Sequence, residues 1–188
     1  MNVEALLGLA VVSIDESTVV GHVDALFFEP RQRRLALLEI VAAGQRARIP
    51  VAAVHHLGTD AVTVPAAGVV QWLNPTSIPA EQAGLLRLEE LVKLTVVDEA
   101  GTVLGKVSSI ALDPEDGTIS EVRVHQGGVL GLGGTTHTIS GEQIRSASAE
   151  LLVVAVQEAA APDQPPPEAD GGEAAPRAGQ EPDGGGRR

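Results

Sequence analysis

With 188 residues, a formal net charge of −12, no cysteine, and hydrophobic residues at 44% against aromatics at 2%, the chain suits one or two small domains with aliphatic cores. The lack of cysteine excludes a disulfide framework, a thiolate metal site and a cysteine nucleophile. The acidic balance argues against non-specific nucleic-acid binding, which depends on Lys and Arg neutralising phosphates. Apolar runs such as Leu6–Val12 and Leu151–Val156 fall far short of the ~20 residues that span a bilayer. No basic stretch precedes an apolar one at the N-terminus, so no secretory signal is expected, and the predicted location is the cytoplasm.

Residues 1–64 hold a first set of elements. Glu4-Ala5-Leu6-Leu7 suits a helical turn before a strand near Ala10–Ile14, and Asp15-Glu16-Ser17-Thr18 turns into a long strand, Val19–Phe28. The apolar positions there are Val23, Leu26 and Phe28. A strict period of two cannot place residues 23 and 26 on one face, so the spacing predicts a β-bulge that helps a small sheet curl into a barrel. Pro30 ends the strand, because proline cannot donate to a central ladder. Arg31–Arg33 turn the chain, Arg34–Val41 return, and Gly44 leads into Arg46–Pro50. Val51–His56 reads as a short turn or 3₁₀ segment and Ala61–Val64 as a closing strand. Residues 65–86, punctuated by Pro65, Pro75 and Pro79, read as a linker. Trp72, the only tryptophan, is either an anchor packed on a barrel or an exposed contact for a partner, and the anchor is expected because burying an indole is favourable.

The stretch Val19-Val20-Gly21-His22-Val23-Asp24-Ala25-Leu26-Phe27-Phe28-Glu29-Pro30 returns as Val103-Leu104-Gly105-Lys106-Val107-Ser108-Ser109-Ile110-Ala111-Leu112-Asp113-Pro114. Both read Val-x-Gly-x-Val-x-x-apolar-x-apolar-x-Pro, the mark of an internal duplication. A second set of elements therefore occupies residues 87–157. Leu88-Glu89-Glu90-Leu91 is its entry turn, Leu94–Val97 a strand, and Asp98–Gly101 a hairpin turn. Asp113–Gly117 is another turn, and Ile119–His125 shows clean alternation of Ile119, Glu121 and Arg123 against Ser120, Val122 and Val124. A glycine-rich loop, Gly127–Gly134, precedes His137–Ile139, a short turn at Gly141–Ile144, and a closing strand at Leu151–Val156. Residues 158–188, rich in Pro, Gly, Ala and acidic side chains, are predicted to be a disordered tail.

These residues resemble the PRC-barrel family, a small β-barrel module found in the H subunit of the photosynthetic reaction centre and at the C-terminus of a ribosome maturation factor. The likeness rests on Leu91–Asp98, Gly101, Leu104-Gly105-Lys106-Val107, Ile110-x-Leu112-Asp113, Gly117, Val122, Val124, Gly127–Gly133, His137-Thr138-Ile139-Ser140 and Ile144. The first copy matches more loosely. It supplies the family's Ile-Pro as Ile49-Pro50, but lacks the glycine-rich loop and has Ser17-Thr18 where an Asp-Gly turn is usual. The resemblance implies an all-β chain of two tandem PRC-type barrels with short helical turns, acting as a scaffold and docking module rather than an enzyme.

The candidate sites are weak as chemistry. The glycine-rich loop lacks the Lys-Ser/Thr ending and following helix of a phosphate loop, so it reads as a hairpin loop whose Val129, Leu130 and Leu132 could form a contact surface if exposed. His125 and His137 could face each other across that hairpin, but two imidazoles without a third ligand do not make a zinc site. Asp113–Gly117 is a turn and not a calcium loop, lacking alternating ligands and flanking helices. Arg31, Arg33, Arg34, Arg46 and Arg48 form the one basic cluster, with Arg46 and Arg48 on one strand face, and it reads first as a solvated, salt-bridged face, then as a dock for an acidic protein surface, then as an RNA contact. RNA contact would want aromatic stacking beside it. No nucleophile elbow or paired-carboxylate signature stands in the chain.

The expected function is thus a non-catalytic, cofactor-free protein-docking module, its contact residues Arg31, Arg33, Arg34, Arg46 and Arg48 or Val129, Leu130 and Leu132. The alternative is an RNA- or ribosome-associated assembly factor, and a weaker one a peripheral component of a membrane electron-transfer complex. The Ala-, Arg- and Gly-heavy usage suggests a bacterial source.

Overall fold

The computed structural model describes residues 1–127 and 134–155; the apolar loop residues Val129, Leu130 and Leu132 and the tail expected at 158–188 lie outside them. In chain order come α1 (Val3–Leu6), β1 (Ala10–Ser13), β2 (Thr18–Glu29), β3 (Arg34–Ala42), β4 (Gln45–Pro50), a 3₁₀ turn at Val51–Ala53, β5 (His56–Leu57) and β6 (Ala61–Val64). The connecting stretch adds β7 (Gln71–Trp72) and β8 (Leu86–Arg87). The pattern then repeats as α2 (Leu88–Leu91), β9 (Thr95–Asp98), β10 (Val103–Leu112), β11 (Ile119–Gln126), β12 (Thr135–Ser140), a 3₁₀ turn at Gly141–Gln143, β13 (Ile144–Ala147) and β14 (Leu151–Val154).

Two sheets result, ordered β5-β6-β1-β2-β3-β4-β7, with β8 also on β2, and β12-β11-β10-β9-β14-β13. Each is an antiparallel meander whose first strand also takes a parallel neighbour, β6 on β1 and β14 on β9. The chain is all-β as expected, but the sheets do not close into barrels. The outer edge of β4 is occupied by β7, and β12 has no second neighbour among the described residues.

The predicted bulges are present in both copies, at Val23/Ala25 and Val107/Ser109. Each inserts one extra residue, Asp24 or Ser108, so that Val23 with Leu26, and Val107 with Ile110, all turn into the core. A second pair of register shifts falls at Phe27/Phe28 and Ala111/Leu112. The latter corrects the alternation expected in Ile119–His125. With Leu112 paired to Ile119 and Ala111 to Glu121, Ser120 is the extra residue, and Ile119 is buried together with Val122 and Val124.

The connecting stretch also builds on the first sheet. Its β7 pairs with β4 and its β8 with β2, and Ala80 and Leu85 cover Ala25 and Phe27 in a small separate cluster. Trp72 is not the buried anchor that was expected. It stands opposite Ala47 at the rim of the sheet and is 51% exposed, while Val70 fills the core there.

The sheets share one hydrophobic core and meet by exchange. The N-terminal α1 packs on β10 of the second sheet, and α2 packs on β2 of the first. Asn2 bridges Ala111, and Leu112 N donates to Met1 O at 2.7 Å. In the other direction β8 pairs with Phe27 and Phe28, and Leu26 N donates to the Glu89 carboxylate at 2.7 Å. Between these contacts Arg34 bridges Thr118, with Leu35 N donating to Gly117 O at 2.8 Å and Ile119 N to Arg33 O at 2.9 Å. Apart from the Leu26–Glu89 bond, equivalent residues of the two copies make these contacts, as Asn2 with Ala111 matches Arg87 with Phe27, which is the signature of an approximate two-fold relation.

Candidate docking groove

A groove of about 720 Å³ opens on the second sheet where β9, β10 and β11 come together beneath the exit of α2. Val92, Val103 and Val107 supply its apolar surface, and Lys93, Lys106, His125 and Glu4 its polar groups. The backbone explains the opening. Helix α2 stops at Leu91, Val92 is extended, and Lys93 takes a left-handed φ of 84° while its N–H donates to Val107 O at 2.8 Å. The matching position of the first copy is Gly8, at φ 79°. A side chain in that region costs about 1–2 kcal/mol relative to a right-handed residue, a cost the Lys93 N–H bond to Val107 O helps offset.

Gly105 shapes the floor. At φ 140°, a Cβ there would lie 2.5 Å from His125 O, so only glycine lets β10 run this close to β11. Beside it Val103 is 56% exposed, an uncovered aliphatic side chain. The chain contains two lysines, Lys93 and Lys106, and both are exposed at this groove. Neither is paired with a carboxylate among the described residues, whereas Arg46, Arg48, Arg87, Arg123 and Arg145 all are. The site can hold an apolar segment carrying negative charge. It brings together no nucleophile and base in hydrogen-bond reach of one another.

The arginine cluster is divided. Arg31 is exposed on the turn after β2. Arg33 crosses to the second sheet, its guanidinium donating to Glu142 O at 2.9 Å. Arg34 forms the bridge to Thr118. Arg46 and Arg48 do share the non-core face of β4. Arg46 is exposed, 3.8 Å from Asp24. Arg48 is drawn inward, donating to Glu39 at 2.8 and 2.9 Å and to Ile78 O at 2.6 Å. Buried Glu39 also faces Arg87 at 3.7 Å, which reaches Glu81 at 3.3 Å and lies over the Phe27 ring at 5.2 Å from its centre. This network fastens the connecting stretch to the first sheet.

The histidines do not oppose each other. His137 faces Val124 across the ladder and His125 faces Thr136. Among the described residues, no three His, Asp or Glu side chains are grouped to hold a metal ion, and no helix is long and apolar enough to cross a membrane. Asp113–Gly117 is a turn, with Asp113 accepting from Glu115 N and Asp116 from Thr118 N and Oγ1.

Sequence reading missed Lys93, Lys106 and Val103 as site residues. The one available signal was that a chain otherwise using arginine places both its lysines here. The exposure of Val103 carries no such signal, because a valine opening a strand reads as core.

Residues 84–157 match the PRC-barrel domain family, and every residue lining the groove except Glu4 falls within that span. Among solved structures, the chain is similar to RimM, a 16S ribosomal RNA processing protein from Pseudomonas aeruginosa, at 13% identity and a TM-score of 0.28, over 80% of this chain and 96% of that one. No curated protein matches the chain.

Proposed function

We propose, from the premise that residues 84–157 are a PRC-barrel domain, that the chain is a non-catalytic docking module whose second copy receives an apolar, negatively charged segment of a partner protein. The first copy is a diverged version of the same module that serves as its structural mate. The observation that carries the reading is the groove: uncovered Val103 and both lysines of the chain meet over an apolar floor. On an acidic protein, unpaired lysines concentrated at one place give steering and specificity to an encounter.

The alternative of an RNA- or ribosome-associated factor, in its single-strand RNA form, would be favoured by free arginines beside aromatic side chains. Arg48 and Arg33 are engaged inside the molecule. Trp72 stands on the Ala47 side of β4, away from Arg46 and Arg48. The discriminating experiment is affinity capture with the full chain, with and without nuclease, comparing Lys93→Glu/Lys106→Glu with Arg46→Glu. The docking reading expects a protein catch indifferent to nuclease and lost with the lysine pair. A catch abolished by nuclease and by Arg46→Glu would replace it with the RNA reading.

A further inference from the structure

In the first copy, β4 does not end the sheet: β7 lies along its outer edge, with Trp72 opposite Ala47, Gln71 opposite Arg48, and Leu73 N donating to Arg46 O at 2.9 Å. Val70, just before this strand, is buried in the shared core. The counterpart of β4 is β12, and among the described residues its outer edge is bare. The buried isoleucines Ile49 and Ile139 fix the correspondence. Counting back from them, His137 stands where Ala47 does, and Thr136 and Thr138 stand where Arg46 and Arg48 do. Ala47 is fully buried beneath its cover, whereas His137 is exposed.

We infer that the β12 edge is the seat of an added antiparallel strand from the partner, carrying in order an aliphatic, a polar, an aromatic and an acidic residue. This rests on the docking reading and gives it a binding mode, strand addition to an open edge. The first three positions are copied from Val70, Gln71 and Trp72, the aromatic residue now lying opposite His137. The fourth, where the first copy has Leu73, falls opposite Thr136. Across the sheet from Thr136 come His125 and then Lys106, so a carboxylate there extends a row ending on a groove lysine. Edge and groove are thus one continuous surface. The neutral run Thr135-Thr136-His137-Thr138 carries no carboxylate to repel such a strand.

The test uses the ¹⁵N-labelled full chain and two synthetic peptides, residues 66–75 of this chain and the same peptide with Leu73→Asp. Saturable amide shifts at Thr135–Ser140 are expected, with the Leu73→Asp peptide binding several-fold more tightly at low salt. Thr138→Pro removes an N–H that points away from β11, so it leaves that ladder intact while weakening peptide binding about tenfold or more, equivalent to about 1.4 kcal/mol. Thr136→Pro is expected to do the same, and guards against one proline misfolding the strand. Shifts unchanged in both variants, shifts confined to the first sheet, or concentration-dependent shifts at β12 without peptide (a second copy on the edge) would each overturn the inference. If the peptides fail while Lys93→Glu/Lys106→Glu still abolishes a nuclease-resistant catch, strand addition is wrong and the docking reading stands.

Discussion

Left-handed backbone positions recur at matching places in the two copies, and at three pairs only one copy has glycine. Gly8 matches Lys93, Gly101 matches Ser17, and Gly117 matches Arg33, all at positive φ. Ser17 is exposed, and its side chain makes only a 3.5 Å bond to Ile14 O. Ser17→Gly is therefore expected to stabilise the fold by up to about 1 kcal/mol, the relieved strain being partly offset by the greater freedom of unfolded glycine; a raised chemical-denaturation midpoint is the readout. Gly105→Ala should do the opposite. Its Cβ would press on His125 O and C at 2.5 and 2.8 Å, both backbone atoms that cannot yield without opening the β10–β11 ladder. A loss of about 1–3 kcal/mol is expected, in line with overpacking, and a variant as stable as the parent would show that the two strands have room to part. Glu89 makes a pH-dependent contribution. One oxygen accepts from Leu26 N while the other is buried without a partner, and burial holds the carboxyl above its ordinary value. With the folded value above the unfolded one, the native state favours the protonated form, and that stabilisation is lost as pH rises through the raised value. Glu89→Gln keeps an acceptor for Leu26 and removes the charge, so thermal melts should show a higher midpoint than the parent at neutral pH and no gain in acid. A lower midpoint at neutral pH would mean that the anion is worth more to Leu26 than its burial costs.

Among the elements, β2 and β10 show what a sequence can and cannot convey. The spacing of Val23 to Leu26, repeated from Val107 to Ile110, contains the bulge, because only an extra residue puts both on one face. Pro30 and Pro114 mark the strand ends, and most remaining strands follow from their aliphatic runs. Open edges are another matter. Whether a curled sheet closes depends on what its last strand meets, and nothing in Gln45–Pro50 announces that β7 will occupy that side. Trp72 misled for a related reason: an indole is favourable to bury, but a two-residue strand at a rim gives it only one neighbour strand. The connecting stretch is held instead by buried Glu39, to which Arg48 donates twice and which Arg87 approaches at 3.7 Å. Breaking such a pair from one side leaves a charge stranded, at a cost of about 3–5 kcal/mol. Arg48→Met should therefore lower stability sharply and speed proteolysis within residues 73–86, whereas Arg48→Met with Glu39→Leu should recover much of the loss. If the single and double variants are equally unstable, the network is not what fastens this stretch.

For the molecule as a whole, the exchange of entry helices decides how it folds. Duplicated sequences suggest two units, and the residues do not reveal that α1 serves the second sheet and α2 the first, since Val3 and Leu6 match Leu88 and Leu91 and either pair could lie on either strand. In the structure all four side chains are buried across the line between the copies. At about 1.5–3 kcal/mol each, they contribute roughly 6–12 kcal/mol, comparable with the about 5–15 kcal/mol that holds a typical domain together. Each copy alone, at ~70 residues, buries a smaller share of its surface and has a correspondingly thinner margin. The full chain should thus unfold in one transition, with fluorescence of Trp72 in the first sheet and far-ultraviolet dichroism of both sheets giving the same midpoint. Residues 87–157 expressed alone, lacking Met1, Val3 and Leu6 against β10, should bind a hydrophobic dye and melt without a sharp transition. Adding residues 1–86 in equal amount should restore both the cooperative melt and exclusion of the dye. If the isolated second copy instead folds sharply and excludes dye, the exchanged helices are decoration on two independent modules. The docking surface could then be studied on that copy alone. If it does not, a ligand that binds only the folded second sheet must stabilise the whole chain, raising the single midpoint by mass action and shifting Trp72 fluorescence and dichroism together.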